Sequence, residues 1–77
     1  MEVVRLRDLD TGQRARVRSM ELEGSMRRRL RDVGLIEDTL VDCLGVSSGG
    51  SPKAFLVRGV ALALRAEDSS GIWVERI

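Results

Sequence analysis

The chain has no histidine and no tyrosine, and only one cysteine, one proline and two aromatic residues among its 77 positions. A single cysteine can form neither an internal disulfide nor a cysteine-rich metal site. Without histidine, a catalytic base or a dedicated site for Fe²⁺ or zinc would need a thiolate or several converging carboxylates. We therefore predict that the protein is not an enzyme, has no cofactor and has no tight metal site.

Long apolar segments and an excess of one charge are also missing. No apolar run approaches the roughly 20 residues of a membrane span, and the N-terminal segment has no signal-peptide pattern. Thirteen basic residues against 12 acidic ones give a net charge of +1, so bulk charge provides no argument for nucleic acid. These features predict one cytoplasmic domain over residues 1–77, which neither binds nucleic acid nor inserts into a membrane.

A short basic segment interrupts the otherwise strand-like pattern. Met26 and Leu30 lie one helical turn apart and begin a narrow apolar stripe. Ser25 is expected to cap the start of this helix with its hydroxyl, and Gly34 is expected to end it in a left-handed conformation. We therefore predict one short α-helix over residues 25–33.

Alternating and β-branched residues predict strands on both sides of this helix. The predicted strands cover residues 13–22, 39–46, 53–58, 60–65 and 72–77. A break in the alternation predicts a bulge near Ser19, and Gly59 predicts a tight hairpin. Single helical turns are expected at 6–9 and 66–69. Five short strands and one inserted helix favour a small closed barrel, in which no strand edge is left exposed.

Strand and helix periodicity also predicts which side chains form the core. The inward set comprises Val17, Met20, Met26, Leu30, Val33, Leu35, Val41, Cys43, Phe55, Val57, Val60, Leu62, Leu64, Ile72 and Val74. Within this set Cys43 is interpreted as a small buried hydrophobic residue, because it alternates with Val41 on the inward face and the chain has no histidine to activate a thiol.

The outward positions of the strands are not uniformly polar. Leu44, Val46, Leu56 and Trp73 all fall opposite the core set. We expect Trp73 and Leu56 on adjacent strands with Leu44 nearby, as an exposed contact surface rather than part of the core, because such apolar patches commonly mark protein contacts.

Four arginines crowd the predicted helix, and two interpretations remain open for them. Arg27 and Arg31 flank the apolar stripe, Arg29 borders its other side and Arg28 points to solvent. The arginines could form a solvated helix face whose methylene groups cover the edge of the core. Alternatively, Arg27, Arg28 and Arg31 dock an acidic protein surface.

An ordered set of short motifs covers nearly the whole chain. The motifs are Leu6-x-x-Leu9-x-x-Gly12, Ala15-x-Val17-x-x-Met20, Arg28-Arg29-Leu30-x-x-x-Gly34-Leu35, Val41, Gly50-Ser51-Pro52, Gly59-x-x-Leu62-Ala63-Leu64-Arg65 and Ile72-x-Val74. Together they resemble the FeoA family, the small cytoplasmic component of bacterial ferrous iron transport. Two departures stand out: Glu37-Asp38 replaces the usual Pro-Gly, and Ser51 replaces the usual Asp of Gly-Asp-Pro.

The resemblance implies an SH3-like β-barrel with an inserted helix, in agreement with the pattern of predicted elements. It also implies a role in ferrous iron transport and transition metal ion binding, with the membrane ferrous iron permease and its cytoplasmic GTPase domain as partner. A second copy of the domain is the alternative partner. A similar domain forms the C-terminal module of some iron-dependent repressors, so a free-standing regulatory domain of that type is the alternative function.

Overall fold

Antiparallel strands dominate the computed structural model, which describes residues 2–77. Within those residues the strands are β1 Val3–Arg5, β2 Arg14–Met20, β3 Leu40–Val46, β4 Lys53–Val57, β5 Val60–Leu64 and β6 Ile72–Arg76. They form one sheet in the order β1-β6-β2-β3-β4-β5. The mainly β prediction is confirmed. The count of five strands is wrong by one, because β1 was not predicted, and the sheet stays open between β1 and β5 rather than closing.

The connections contain the predicted helical turns. A 3₁₀ turn, Leu6–Asp8, follows β1, and the short helix α2, Ala66–Ser69, lies between β5 and β6. The longer helix α1, Gly24–Asp32, lies between β2 and β3. Across residues 2–77, no helix is long and apolar enough to cross a membrane.

Helix α1 confirms the prediction of an inserted helix, although its start differs from the expectation. Glu23 precedes the helix in extended conformation and makes no side-chain capping bond, so the prediction that Ser25 is the N-cap is wrong. The end of α1 follows the prediction: Gly34 has a φ of 93°. The Gly34 N–H donates to Arg31 O and the Leu35 N–H to Leu30 O, both at 2.9 Å. These two bonds form a Schellman motif, which turns Leu35 back onto the helix.

Two predicted irregularities of the sheet are present. The pairing of β2 with β6 shifts register between Val17 and Ser19, which is the predicted bulge. Strands β4 and β5 are joined by Arg58 and Gly59 alone, with φ values of 50° and 83°. Two successive residues with positive φ suit a tight hairpin whose twist matches that of the strands.

The core lies on the inner face of the sheet under α1 and the 3₁₀ turn. The buried apolar residues are Leu6, Leu9, Ala15, Val17, Leu30, Leu35, Val41, Cys43, Phe55, Val57, Leu64, Ile72 and Val74. Most of the predicted inward set is therefore buried, including Cys43. Val60 is a correction, since it remains 43% exposed at the hairpin end of β5. Leu6 and Leu9 were not predicted, and both are fully buried.

Candidate partner-binding surfaces

Four of the six predicted contact residues lie in three separate places. Arg27 and Arg31 line a cleft beside α1, Leu56 lines a recess on the outer face of the sheet, and Trp73 lines neither of these and lies on β6. Leu44 is 46% exposed further along β3. The residues expected to form one patch around Trp73 are therefore separated, because the strands that carry them are not all adjacent in the sheet.

The first place is a cleft of about 380 Å³ between α1, the end of β2 and the segment that follows α1. Its lining, which defines the α1 cleft, comprises Ser19, Met20, Arg27, Arg31, Leu35, Ile36 and Glu37. Met20 is half-buried and Leu35 is buried, whereas Ile36 is 50% exposed. The cleft thus has an apolar interior and an arginine pair on its helical wall.

The segment after α1 is held in place by Thr39, which is buried. Its Oγ1 donates to Gly34 O at 3.0 Å and accepts a hydrogen bond from the Ile36 N–H at 3.2 Å. The Thr39 N–H donates to Ile36 O at 3.1 Å. Together with the glycine that ends α1, these bonds direct Leu35 into the core and leave Ile36 at the surface. Sequence periodicity did not identify Ile36, because it lies in a turn between two regular elements.

The arginines of α1 have no acidic partner within the described part of the chain. Six ion pairs occur in residues 2–77, and none uses an arginine of α1. Arg27 makes one long hydrogen bond, from Nη1 to Leu22 O at 3.5 Å. Arg28 and Arg29 are exposed and do not line the cleft. The helix therefore presents four positive charges, and two of them belong to residues that line the α1 cleft.

The second place, the sheet recess, is a shallow depression of about 420 Å³ on the outer face of β2, β3 and β4. It is lined by Arg14, Arg16, Asp38, Thr39, Leu40, Asp42, Leu56, Arg58 and Gly59. Leu56 lies opposite Asp42 in the pairing of β3 with β4 and is half-buried. Leu40 is 40% exposed and was not predicted as a contact residue.

One of the three arginines that line the sheet recess is paired with an acid. Arg14 Nε donates to Asp42 Oδ1 at 2.7 Å, and Arg14 Nη2 donates to Asp42 Oδ2 at 3.3 Å. Hydrogen bonding to Asp42, followed by the attraction between the two charges, raises the pKa of Arg14 above its ordinary value. Arg16 donates to Asp38 O at 3.1 Å. Arg14 therefore has an acidic partner, unlike the two arginines that line the α1 cleft.

Trp73 occupies a third place, and the prediction that it lies beside Leu56 is wrong. Strands β2 and β3 separate β6 from β4 in the sheet. Trp73 does point away from the core, because its neighbours Ile72 and Val74 are both fully buried. Its ring is nevertheless half-buried: the Arg5 guanidinium lies over it, and its indole N–H donates to the Glu21 carboxylate.

Residues 2–77 contain no cluster of three or more histidine, cysteine, aspartate or glutamate side chains that could hold a metal ion. Cys43 is 2% exposed in the core, so its thiol does not reach either depression. The α1 cleft, the sheet recess and the exposed apolar residues of β3 are therefore the candidate contact surfaces that contain predicted contact residues.

Six short antiparallel strands with a helix between β2 and β3 define a small SH3-like β domain. The FeoA domain model matches residues 4–76. The chain therefore belongs to the FeoA family, as its motifs predicted, and the family is one of ferrous iron transport.

Solved structures of FeoA proteins share this fold over almost the whole chain. The FeoA protein of Chlorobium tepidum is 32% identical, with a TM-score of 0.90 over 96% of this chain and 70% of that one. The zinc complex of FeoA from Stenotrophomonas maltophilia, described as an SH3 domain protein, is 26% identical. It has a TM-score of 0.82 over 94% of this chain and 89% of that one.

Metal-dependent repressors contain the same fold in part of a longer chain. A manganese-dependent transcriptional repressor is 16% identical, with a TM-score of 0.85 over 97% of this chain and 42% of that one. At this identity the likeness concerns the fold alone. No curated protein matches the sequence.

Proposed function

We propose that the chain is a non-enzymatic accessory protein of ferrous iron uptake. It acts in the cytoplasm as a protein-interaction module, on the cytoplasmic side of the ferrous iron permease and near the GTPase domain of that permease. The observation that carries the proposal is the FeoA match over residues 4–76. The description of the Stenotrophomonas maltophilia protein as a suggested activating factor of ferrous iron transport is consistent with such a role.

The surface supports an interaction module. Leu40, Leu44 and Val46 on β3 and Ile36 before it are each at least 40% exposed. Large apolar groups at the surface contribute little to the stability of the monomer and commonly mark sites where another protein binds. Leu44, Leu56, Arg27 and Arg31 are the residues we assign to contact the partner, and Arg28 adds positive charge beside them.

Binding to the isolated GTPase domain of the permease from the same organism tests the proposal. We expect a complex with a dissociation constant of about 100 μM or tighter in calorimetric titration. Leu44→Glu is expected to weaken it by about tenfold or more, because a charge would be buried against the partner. Val3→Glu is the matched control, since Val3 is 51% exposed on β1 at the edge of the sheet. Absence of binding, or equal binding by both variants, would contradict the proposal.

A second candidate function is that of a free-standing regulatory domain, which tunes a metal-dependent transcription factor. The observation that favours it is the TM-score of 0.85 to the manganese-dependent repressor over 97% of this chain. The two functions differ in the protein that is bound. Titration against the metal-dependent repressor of the same organism distinguishes them, because the first function predicts binding only to the GTPase domain.

A further inference from the structure

Two unpaired arginines and an apolar surface meet in the α1 cleft. We propose that this cleft binds a short acidic segment of a partner protein, with a carboxylate on Arg27 and Arg31 and an apolar side chain of the same segment between Met20 and Ile36. The proposal deepens the proposed function, on which it rests for the existence of a protein partner. It adds the chemistry of the segment that is recognised.

The arginine pair is suited to hold carboxylates. Arg27 and Arg31 are four residues apart on α1, so their side chains lie on the same face of the helix. Both residues line the cleft, and neither has an acidic partner in residues 2–77. Guanidinium groups bind carboxylates through paired, charge-assisted hydrogen bonds, which makes such sites selective for planar anions. An incoming carboxylate would therefore find two guanidinium groups whose only hydrogen bond within the described residues is the long one from Arg27 to Leu22 O.

The other residues that line the cleft favour a ligand in which an apolar side chain lies next to the carboxylate. Met20 and Leu35 form the inner surface, and Ile36 is held outward by the hydrogen bonds of Thr39. A methionine side chain is flexible and adapts to differently shaped apolar groups. A space of about 380 Å³ lies at the lower end of the range for binding pockets, which suits one or two side chains rather than a large cofactor.

The same features disfavour nucleic acid and anionic lipid. Glu37 lines the cleft and repels a continuous row of phosphates. Stacking of bases requires aromatic surface, and neither aromatic residue of the chain lines this cleft. A mixed acidic and apolar peptide matches the arginines and the apolar wall, and Glu37 repels its isolated carboxylates less than it repels a continuous row of phosphates.

The experiment titrates the full chain with the acetylated, amidated peptide Gly-Asp-Leu-Leu-Asp-Gly and follows backbone amide chemical shifts by NMR. We expect a dissociation constant of about 1 mM or tighter. The largest shifts are expected at Met20, Arg27, Arg31 and Ile36. Replacing both Asp residues of the peptide by Asn, or both Leu residues by Ser, should each weaken binding by about tenfold, because each half of the site then loses its partner.

Matched variants of the protein show which residues the peptide binds. Arg27→Glu with Arg31→Glu is expected to abolish the shifts, whereas Arg7→Glu with Arg29→Glu makes the same change in net charge at exposed positions outside the cleft and should preserve them. Ile36→Ser removes an exposed side chain, keeps the fold and should weaken binding several-fold by loss of apolar contact. Thermal unfolding of each variant confirms that it is folded.

Three results would overturn the proposal. The first is an absence of chemical-shift changes at millimolar peptide, and the second is an equal loss of peptide binding in the two double variants. The third is that anionic phospholipid vesicles or a single-stranded oligonucleotide change the shifts as much as the peptide does. These outcomes are separate from those of the proposed function. A GTPase domain that binds the Arg27 and Arg31 double variant normally would leave the accessory function standing and reject this cleft. A peptide that binds while the GTPase domain does not would support the cleft and reject the permease as partner.

Discussion

The guanidinium carbon of Arg5 lies 5.0 Å from the centre of the Trp73 ring, across the pairing of β1 with β6. At this distance the positive charge is attracted to the face of the ring. The indole N–H donates to the Glu21 carboxylate beyond the end of β2. Trp73 therefore joins the edge strand β1 to the rest of the sheet, and the exposed contact residue expected from the sequence is half-covered by the chain itself.

Replacing Trp73 by a smaller residue should lower the stability of the domain. We expect Trp73→Ala to lower the free energy of unfolding by about 1–3 kcal/mol, through loss of apolar contact and of the contact with Arg5. For a domain of this size, that loss corresponds to a fall in the thermal midpoint of several degrees, about 4–8 °C per kcal/mol. Differential scanning calorimetry measures it. An unchanged midpoint would show that Trp73 is free to serve as a contact residue.

A double-mutant cycle separates the two contributions. Arg5→Gln keeps a polar side chain of similar length at the same position and removes the charge. If the charge attracts the ring, the double variant should lose less stability than the sum of the two single variants, by about 0.5–1 kcal/mol at this partly exposed site. Additive losses would instead mean that Trp73 acts by packing alone.

Arg58 and Gly34 are the second pair of residues whose contact can be tested. Gly34 ends α1 with a φ of 93°, and an added Cβ would overlap the Arg58 side chain at Cδ. Gly34→Ala should therefore cost the strain of a left-handed conformation, about 1–3 kcal/mol, and also displace Arg58. Chemical denaturation measures the loss.

Gly12→Ala is the control for this variant. Gly12 has a similar φ of 87°, but no atom lies within 4 Å of its added Cβ. It should report the backbone strain alone. Arg58→Ala combined with Gly34→Ala should recover the difference between the two glycine variants, because the displaced side chain is then absent. If Gly34→Ala costs no more than Gly12→Ala, the contact with Arg58 is too flexible to matter.

Local signals in the sequence were sufficient for most of the fold. Gly59 predicted the β4–β5 hairpin because only a two-residue turn with positive φ fits between those strands. The lost alternation before Met20 predicted the bulge. By contrast, β1 was missed because Val3–Arg5 is only three residues long and is defined by its pairing with β6 at the far end of the chain. Leu6 and Leu9 were left out of the predicted core because they follow this short strand, and their burial likewise depends on packing against distant parts of the chain.

The candidate site was less accessible to sequence reasoning. Residue parity correctly placed Leu56 and Trp73 away from the core, but parity carries no information on strand order, and β2 and β3 lie between them. Arg27 and Arg31 were identified from the helical pattern. Their apolar partner Ile36 was not, because its exposure depends on the Schellman turn and on Thr39, five residues beyond Gly34.

Lys53 gives a further prediction, at the start of β4. Its Nζ donates to Arg7 O at 2.6 Å and to Leu9 O at 2.7 Å, and so ties the 3₁₀ turn to the sheet. Lys53→Met keeps the apolar length of the side chain and removes both bonds. We expect a loss of about 1–3 kcal/mol, because two carbonyl groups lose a charged donor.

Hydrogen exchange shows where that loss occurs. In Lys53→Met the Leu9 amide, which donates to Leu6 O at 3.1 Å, should exchange faster than amides in β3. Arg7→Met is the matched control, since the Arg7 side chain is exposed and forms only a 3.8 Å ion pair with Asp8. Equal effects of the two variants would mean that the charge near the turn matters, rather than the two bonds from Lys53.

The last prediction concerns metal. The chain has no histidine, its thiol is 2% exposed, and residues 2–77 gather no cluster of three candidate ligands. Tight binding of Fe²⁺ or zinc generally requires imidazole, thiolate or several converging carboxylates. We therefore expect calorimetric titration of the tag-free protein with either ion to show no site with a dissociation constant near or below about 1 μM. Cys43→Ser is the control: one ion bound per chain by the parent and lost in this variant would show that the core opens to expose its thiol, and the prediction would be wrong.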